Sequence, residues 1–68
     1  MKCLLVDSSN LSAVGYESGL LRIQFHSGGI YDYSGVPESI YLGLMNAPSH
    51  GQYFWKFIRN VYPYRKVA

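Results

Sequence analysis

The ten residues from Gly28 to Pro37, Gly-Gly-Ile-Tyr-Asp-Tyr-Ser-Gly-Val-Pro, constrain the fold more than any other stretch of this chain. A glycine pair makes a tight turn, a short strand-forming run follows, and Gly35 with Val36-Pro37 ends that strand and prepares a helix. Side chains alternate across a strand with a period of two, so Tyr31 and Tyr33 share one face while Ile30 and Asp32 take the other. A strand face with paired aromatics is either core or a stacking platform for a ligand, and the residues alone leave both readings open.

The rest of the chain is read outward from this point. Leu20 to Phe25 alternates Leu21, Ile23 and Phe25 against Arg22 and Gln24, the pattern of a half-buried strand. Leu11 to Tyr16 is the strand expected before it, with Leu11, Ala13 and Gly15 on one side and Ser12, Val14 and Tyr16 on the other. Glu17-Ser18-Gly19 joins the two as a hairpin loop in which Gly19 is free to take a positive φ. His26-Ser27-Gly28-Gly29 closes a second hairpin, and Lys2 to Val6 fits an edge strand ahead of the turn Asp7-Ser8-Ser9-Asn10.

Downstream, Pro37 at the first helical position and Glu38 in the first turn open a helix whose apolar face is Ile40, Tyr41, Leu44, Met45 and Ala47. Asn46-Ala47-Pro48 stops it. Ser49-His50-Gly51-Gln52 has the form of a capping box, so a second helix is expected from Ser49, with the stripe Tyr53, Phe54, Phe57, Ile58 and Val61 and its limit at Pro63. Phe25, Phe54, Phe57 and Ile58 are expected in the core. The segment Tyr62-Pro63-Tyr64-Arg65-Lys66 is basic and aromatic and reads as a solvated tail. The expected fold class is α+β: a small three- to four-stranded antiparallel β-meander followed by two helices packed on one face, forming a single domain over residues 1–68.

A chain of 68 residues buries only about 60% of the surface that its unfolded form exposes, so its core is thin. Cys3 is the single cysteine, which excludes an internal disulfide and a Cys-x-x-Cys ligand pair and fits a reducing cytoplasm. His26 and His50 have no carboxylate at ligand spacing, so neither a metal nor a cofactor is expected. Self-association into a homo-oligomer is then the expected support, with an aromatic content of 16% as interface material. No run approaches the roughly 20 apolar residues of a membrane span. The formal charge of +2, from six basic and four acidic residues, falls short of the basic stripe of a long nucleic-acid site and suits a ligand with few phosphates.

Candidate binding residues fall in three groups. Tyr31 and Tyr33 are the platform or core pair. Ser49, His50 and Gly51 begin the second helix, where unpaired N-H groups suit an anion, although Ser49 also serves as a cap and Gly51 also permits close packing. Trp55 and Arg59 are four residues apart on the less buried side of that helix and can meet as a cation-π pair, half of a nucleobase sandwich, or a subunit contact. Catalysis is not expected. Ser49 and His50 are adjacent at a helix start and diverge, and Asp7, Glu17, Asp32 and Glu38 show no paired-carboxylate spacing.

Taken in order, Ser8-Ser9, Val14-Gly15-Tyr16, Phe25 with the glycine turn after it, Tyr31-Asp32-Tyr33, Val36-Pro37, Ala47-Pro48-Ser49-His50-Gly51, Phe54, Ile58-Arg59 and Tyr62 resemble the KTSC domain, found at the carboxyl terminus of some lysyl-tRNA synthetases and in free-standing bacterial and phage proteins. The resemblance covers nearly the whole chain. It implies the fold, and it implies a link to RNA. Trp55 departs from the pattern, which usually has a small polar residue there. The expected function is non-catalytic binding of a nucleotide-type ligand, foremost a small phosphate-containing, signalling-type nucleotide sequestered by a homo-oligomer. An RNA-binding accessory module and a protein-interaction or assembly module are the alternatives.

Overall fold

Seven elements follow one another along the chain: β1 (Cys3–Leu5), β2 (Leu11–Glu17), β3 (Leu20–Phe25), β4 (Ile30–Tyr33), α1 (Glu38–Asn46), α2 (His50–Phe57) and β5 (Tyr64–Lys66), in a computed structural model that describes residues 1–68. Each strand pairs antiparallel with its neighbour in the order β1-β2-β3-β4-β5, and both helices are inserted in the connection between β4 and β5. The α+β class and the helix pair on one face are as expected; the strand count is five.

The β2–β3 hairpin turns through Ser18 (φ 49°) and Gly19 (φ 83°), a two-residue loop with both residues left-handed, whose twist matches that of the flanking strands. This turn also anchors α1. Val36 N-H donates to Gly19 C=O at 2.9 Å, and the Tyr16 hydroxyl donates to Val36 C=O at 2.6 Å while its ring stacks on Tyr41 at 4.8 Å. Pro37 stands just outside the helix as its N-cap (ψ 152°) rather than at the first helical position, because its carbonyl, not its ring, starts the ladder by accepting from Ile40 N-H at 3.0 Å.

Strand β2 departs from strict alternation. Its register against β3 shifts between Leu11 and Ala13, a β-bulge that places Leu11 and Val14 in the same core although their parities differ. Across the sheet, Val14 faces Ile23, Ile23 faces Tyr31, and Leu21 faces Tyr33, so these residues form one inner wall. Leu44, Phe54, Ile58 and Val36 close over it from the helical side. On the opposite face Arg22 and Asp32 form a bidentate pair, Nε to Oδ1 at 2.7 Å and Nη2 to Oδ2 at 2.9 Å. This contact holds the Asp32 carboxyl below its ordinary range.

Two expectations about the second helix are corrected. It ends at Phe57, and Asn60 takes a positive φ of 63° beyond it, so Val61 is not carried round to the core side and is 58% exposed. Phe57, expected in the core, is 42% exposed and packs on Tyr53 at 4.7 Å instead.

The larger correction concerns the tail. Tyr64–Lys66 is a strand, pairing Tyr64 with Tyr33, Arg65 with Asp32 and Lys66 with Tyr31. The pairing continues as Val67 N-H donates to Ile30 C=O at 2.8 Å and Ile30 N-H donates to Ala68 C=O at 3.0 Å. Left alone, β4 would present a row of unpaired backbone groups at the sheet edge, and the returning chain satisfies them.

Candidate functional site

Between α2 and the β3-β4-β5 end of the sheet lies a groove of about 670 Å³. Its wall is a continuous aromatic array. Phe25 meets Tyr31 at 5.6 Å and Phe54 at 5.5 Å, Tyr33 meets Phe54 at 5.5 Å, and Tyr64 meets Tyr31 at 5.6 Å and Tyr33 at 5.7 Å, in edge-on or tilted geometries that suit ring quadrupoles. The period of the strand puts both tyrosines of β4 on this side, and the depth differs between them. Tyr33 is 5% exposed and belongs to the core, while Tyr31 is half-buried. The two readings of the pair therefore meet in one place: core residues that also line a groove.

The Tyr33 hydroxyl makes no hydrogen bond within the chain, although no fully buried polar side-chain atom of the molecule lacks a partner, so its oxygen reaches the groove. Burial pushes its pKa up to about 12, helped by Tyr64 and Tyr31 and opposed by Arg59. Tyr33 is thus a neutral phenol at any physiological pH.

At the mouth, Trp55 is 63% exposed and the Arg59 guanidinium lies 3.8 Å from its ring centroid. The pair forms although Arg59 falls beyond the end of α2. The chain widens after Phe57, with Arg59 N-H reaching back five residues to donate to Phe54 C=O at 2.9 Å, and the guanidinium lies over the indole. A stacked guanidinium still has its N-H edges free for in-plane hydrogen bonds.

The start of α2 borders the groove and a second, adjoining concavity of about 730 Å³. Ser49 is its N-cap, its hydroxyl accepting from Gln52 N-H at 3.3 Å. The reciprocal half of the expected capping box, from the Gln52 side chain back to Ser49 N-H, does not form. The N-H groups of His50 and Gly51 find no acceptor in the chain. His50 is occupied by structure: its Nδ1 donates to Leu44 C=O at 2.8 Å and ties α2 to the last turn of α1. In the neutral ring this leaves Nε2 as an acceptor, so His50 offers a proton toward an anion only as imidazolium. Gly51 lies against the turn before β2, where an added Cβ would stand 3.2 Å from Asn10 Nδ2. That turn is itself braced by Ser8 Oγ, which accepts from Asn10 and Leu11 N-H, and by His26 Nε2, which donates to Ser8 C=O at 2.8 Å.

Of the residues singled out from the sequence, Tyr31, Tyr33, Gly51, Trp55 and Arg59 line the one groove. Ser49 and His50 line the adjoining concavity, which shares Gly51 and Trp55 with it. Sequence reasoning missed Tyr64, because nothing in a five-residue polar and aromatic tail announces that it returns to the sheet. It also assigned Phe25 and Phe54 to the core alone, whereas both contribute to the groove wall.

The KTSC domain model matches residues 7–62. A lysine-tRNA ligase of Nostoc sp. (strain PCC 7120) is 41% identical over 64 residues, covering 91% of this chain and 11% of the ligase, and a second, from Trichormus variabilis, is 39% identical over the same coverage. The chain therefore spans only about a ninth of the length of the ligases it matches. An uncharacterized protein of Stutzerimonas stutzeri is 38% identical over 79% of each chain. Among solved structures, the crystal structure of a KTSC domain protein from Yersinia pestis superposes with a TM-score of 0.95 at 35% identity, covering 98% of this chain and 97% of that one. With the match extending from the turn before β2 through the end of the helical layer, this chain belongs to the KTSC domain family.

Proposed function

We propose that the chain is a non-catalytic binding module for a nucleotide-type ligand, with a small phosphate-containing nucleotide as the first candidate and the groove as its seat. The observation that carries this reading is the Trp55–Arg59 pair, an exposed indole with a guanidinium stacked on it at the mouth of an aromatic groove. A planar base finds stacking surface there, worth about 1 to 3 kcal/mol per base. The free N-H groups of His50 and Gly51 suit a phosphate, and Lys56 lines the same concavity. Catalysis has little support, since both histidine rings are held by backbone carbonyls, His26 by that of Ser8 and His50 by that of Leu44, and neither ring is hydrogen-bonded to a serine hydroxyl or to the Cys3 thiol.

Self-association in the cytoplasm belongs to this proposal. Large apolar side chains outside the groove, Leu5 (86% exposed), Leu42 (49%) and Val61 (58%), supply material for a subunit contact. No helix is long and apolar enough to cross a membrane.

The second reading, an RNA-binding accessory module, is favoured by one observation, the similarity to segments of proteins described as lysine-tRNA ligases. Thermal shifts with nucleoside monophosphates, cyclic dinucleotides and short RNAs test both, because a ligand that binds only the native state raises its stability. A shift by mononucleotides or dinucleotides with a shallow salt dependence supports the small-ligand reading. A shift by RNA alone, falling steeply with salt, supports the accessory module. If nothing shifts the wild type, and Trp55→Ala alters only the sedimentation coefficient, the chain is an assembly module.

A further inference from the structure

The groove does not end at Trp55. The indole, with Ser9, Asn10 and Gly51, also lines the adjoining concavity, so these four residues form a ridge between two spaces of different character. On the groove side the wall is aromatic, with Tyr31, Tyr33, Phe54 and Tyr64. On the other side the broad ring of Trp55 stands among small and polar residues. Arg59 lines the groove and not the second concavity. Its guanidinium, 3.8 Å from the indole centroid, therefore covers the indole on the groove side, and the part of the ring that meets the concavity is left free, in keeping with its 63% exposure.

We propose that the two spaces hold the two bases of one ligand, a dinucleotide unit joined by a phosphodiester, with one base among the groove tyrosines and the other on the free side of Trp55. The proposal rests on the nucleotide-binding reading above and adds to it the number of bases and the kind of phosphate. Charge selects the phosphate. With both histidines neutral, the charged side chains around the two spaces are Arg59 in the groove and Lys56 and Asp7 in the concavity, an excess of one positive charge. A phosphodiester carries a single negative charge and is balanced by it. A terminal phosphate carries about −1.5 to −2, and a triphosphate more, which this lining does not match. Gly51, whose N-H finds no acceptor in the chain, stands on the ridge that the diester must cross. Stacking tolerates any base, so two rings and one diester define the ligand rather than a sequence.

Calorimetric titration with AMP, the dinucleoside phosphate ApA, ATP and octa-adenylate, and with the matching uracil compounds, tests this through ratios. In at least one series the dinucleoside phosphate should bind the wild type about tenfold or more tighter than the mononucleotide, because a second ring is stacked with little change in charge. The triphosphate should stay within about threefold of the monophosphate. Trp55→Ala changes an exposed position and should fold, which circular dichroism checks, and it should bring the dinucleotide gain below about threefold. The wild-type ratios decide the matter should that variant misfold. The octanucleotide separates the two sources of such a unit. Binding within about tenfold of the dinucleoside phosphate, the statistical gain from its overlapping steps, means that one step of a strand is held, and weaker binding means that only a free dinucleotide fits. A larger gain that falls steeply with salt reports a longer track and overturns the two-base site. A mononucleotide as tight as the dinucleoside phosphate in both series, a triphosphate about tenfold tighter than the monophosphate, or an unchanged gain in Trp55→Ala would each overturn the inference while leaving nucleotide binding in place. Absence of binding heat and of thermal shift with every compound overturns both.

Discussion

Gly51 is where packing and binding make opposite demands on a single residue. A methyl group there meets only the end of the exposed Asn10 side chain, at 3.2 Å, which can give way. Alanine also gains helix propensity of up to about 1 kcal/mol over glycine, so Gly51→Ala should leave stability nearly unchanged. Aspartate at the same position adds a negative charge in the first turn of α2, a favourable interaction of about 0.3 to 1 kcal/mol with the helix dipole. The same charge repels a phosphate approaching the free N-H groups of His50 and Gly51. Gly51→Asp should therefore melt no lower than Gly51→Ala while binding a mononucleotide at least fivefold more weakly. Equal binding by the two variants would place the phosphate elsewhere. At the groove mouth, the exposed Trp55–Arg59 contact adds only about 0.5 to 1 kcal/mol to stability. Arg59→Ala is accordingly expected to keep the fold and lose affinity.

At the scale of elements, β5 joins the fold to the groove. Its three residues are all exposed, so no buried apolar pattern marks it in the sequence, and it is held by backbone pairing with β4 and by the rings of Tyr31 and Tyr33 against Tyr64. Ending the chain at Tyr62 would uncover the β4 edge and remove one wall of the groove. This truncation is expected to melt lower and to associate through the freed edge. Tyr64→Ser keeps the ladder and removes only the ring; it should fold and bind nucleotide more weakly. Native-state amide exchange gives an independent check, since the Ile30 and Val67 N-H groups should be protected by their bonds across this pair. Rapid exchange at both positions would mean that the strand detaches in solution. The hairpins were easier to anticipate. Ser18-Gly19 is flanked by alternating apolar residues, and a two-residue left-handed turn matches the strand twist, so local chemistry alone specified it.

For the molecule as a whole, two groups on opposite faces of the sheet should bound the pH range of stability. Asp32 has a lowered pKa in the folded state because of its hydrogen bonds with Arg22, so the native state favours its ionised form. Its contribution is present above the ordinary carboxylate value and is lost as pH falls below that value through the lowered folded-state one. Tyr33 has its pKa raised from 10.0 to about 12 by burial, so between those values the folded state holds a proton that the unfolded state has released. Stability should fall as pH rises across that window. Melting curves as a function of pH should show both limbs. Tyr33→Phe should flatten the alkaline limb, and Asp32→Asn the acid limb; variants that retain the wild-type limbs would assign them to other groups. The same bidentate pair shows why Asp32 is tolerated at 8% exposure on the sheet face away from the core: both carboxylate oxygens are hydrogen-bonded.

By itself the sequence determined the meander, the two helices and the family, because period-two and helical spacing, glycine turns and a serine cap are local signals written within a few residues. It also determined that Tyr31 and Tyr33 share a face. Only the tertiary structure decided that this face is core and groove wall at once, since depth depends on which element closes over a strand rather than on the strand's own pattern. The bulge that carries Leu11 into the core beside Val14, the exposure of Phe57 and Val61 and the return of Tyr64 to the sheet were decided there too. The bulge and the last strand each depend on a partner distant in the chain, Phe25 and Tyr33, and no local preference carries the identity of such a partner.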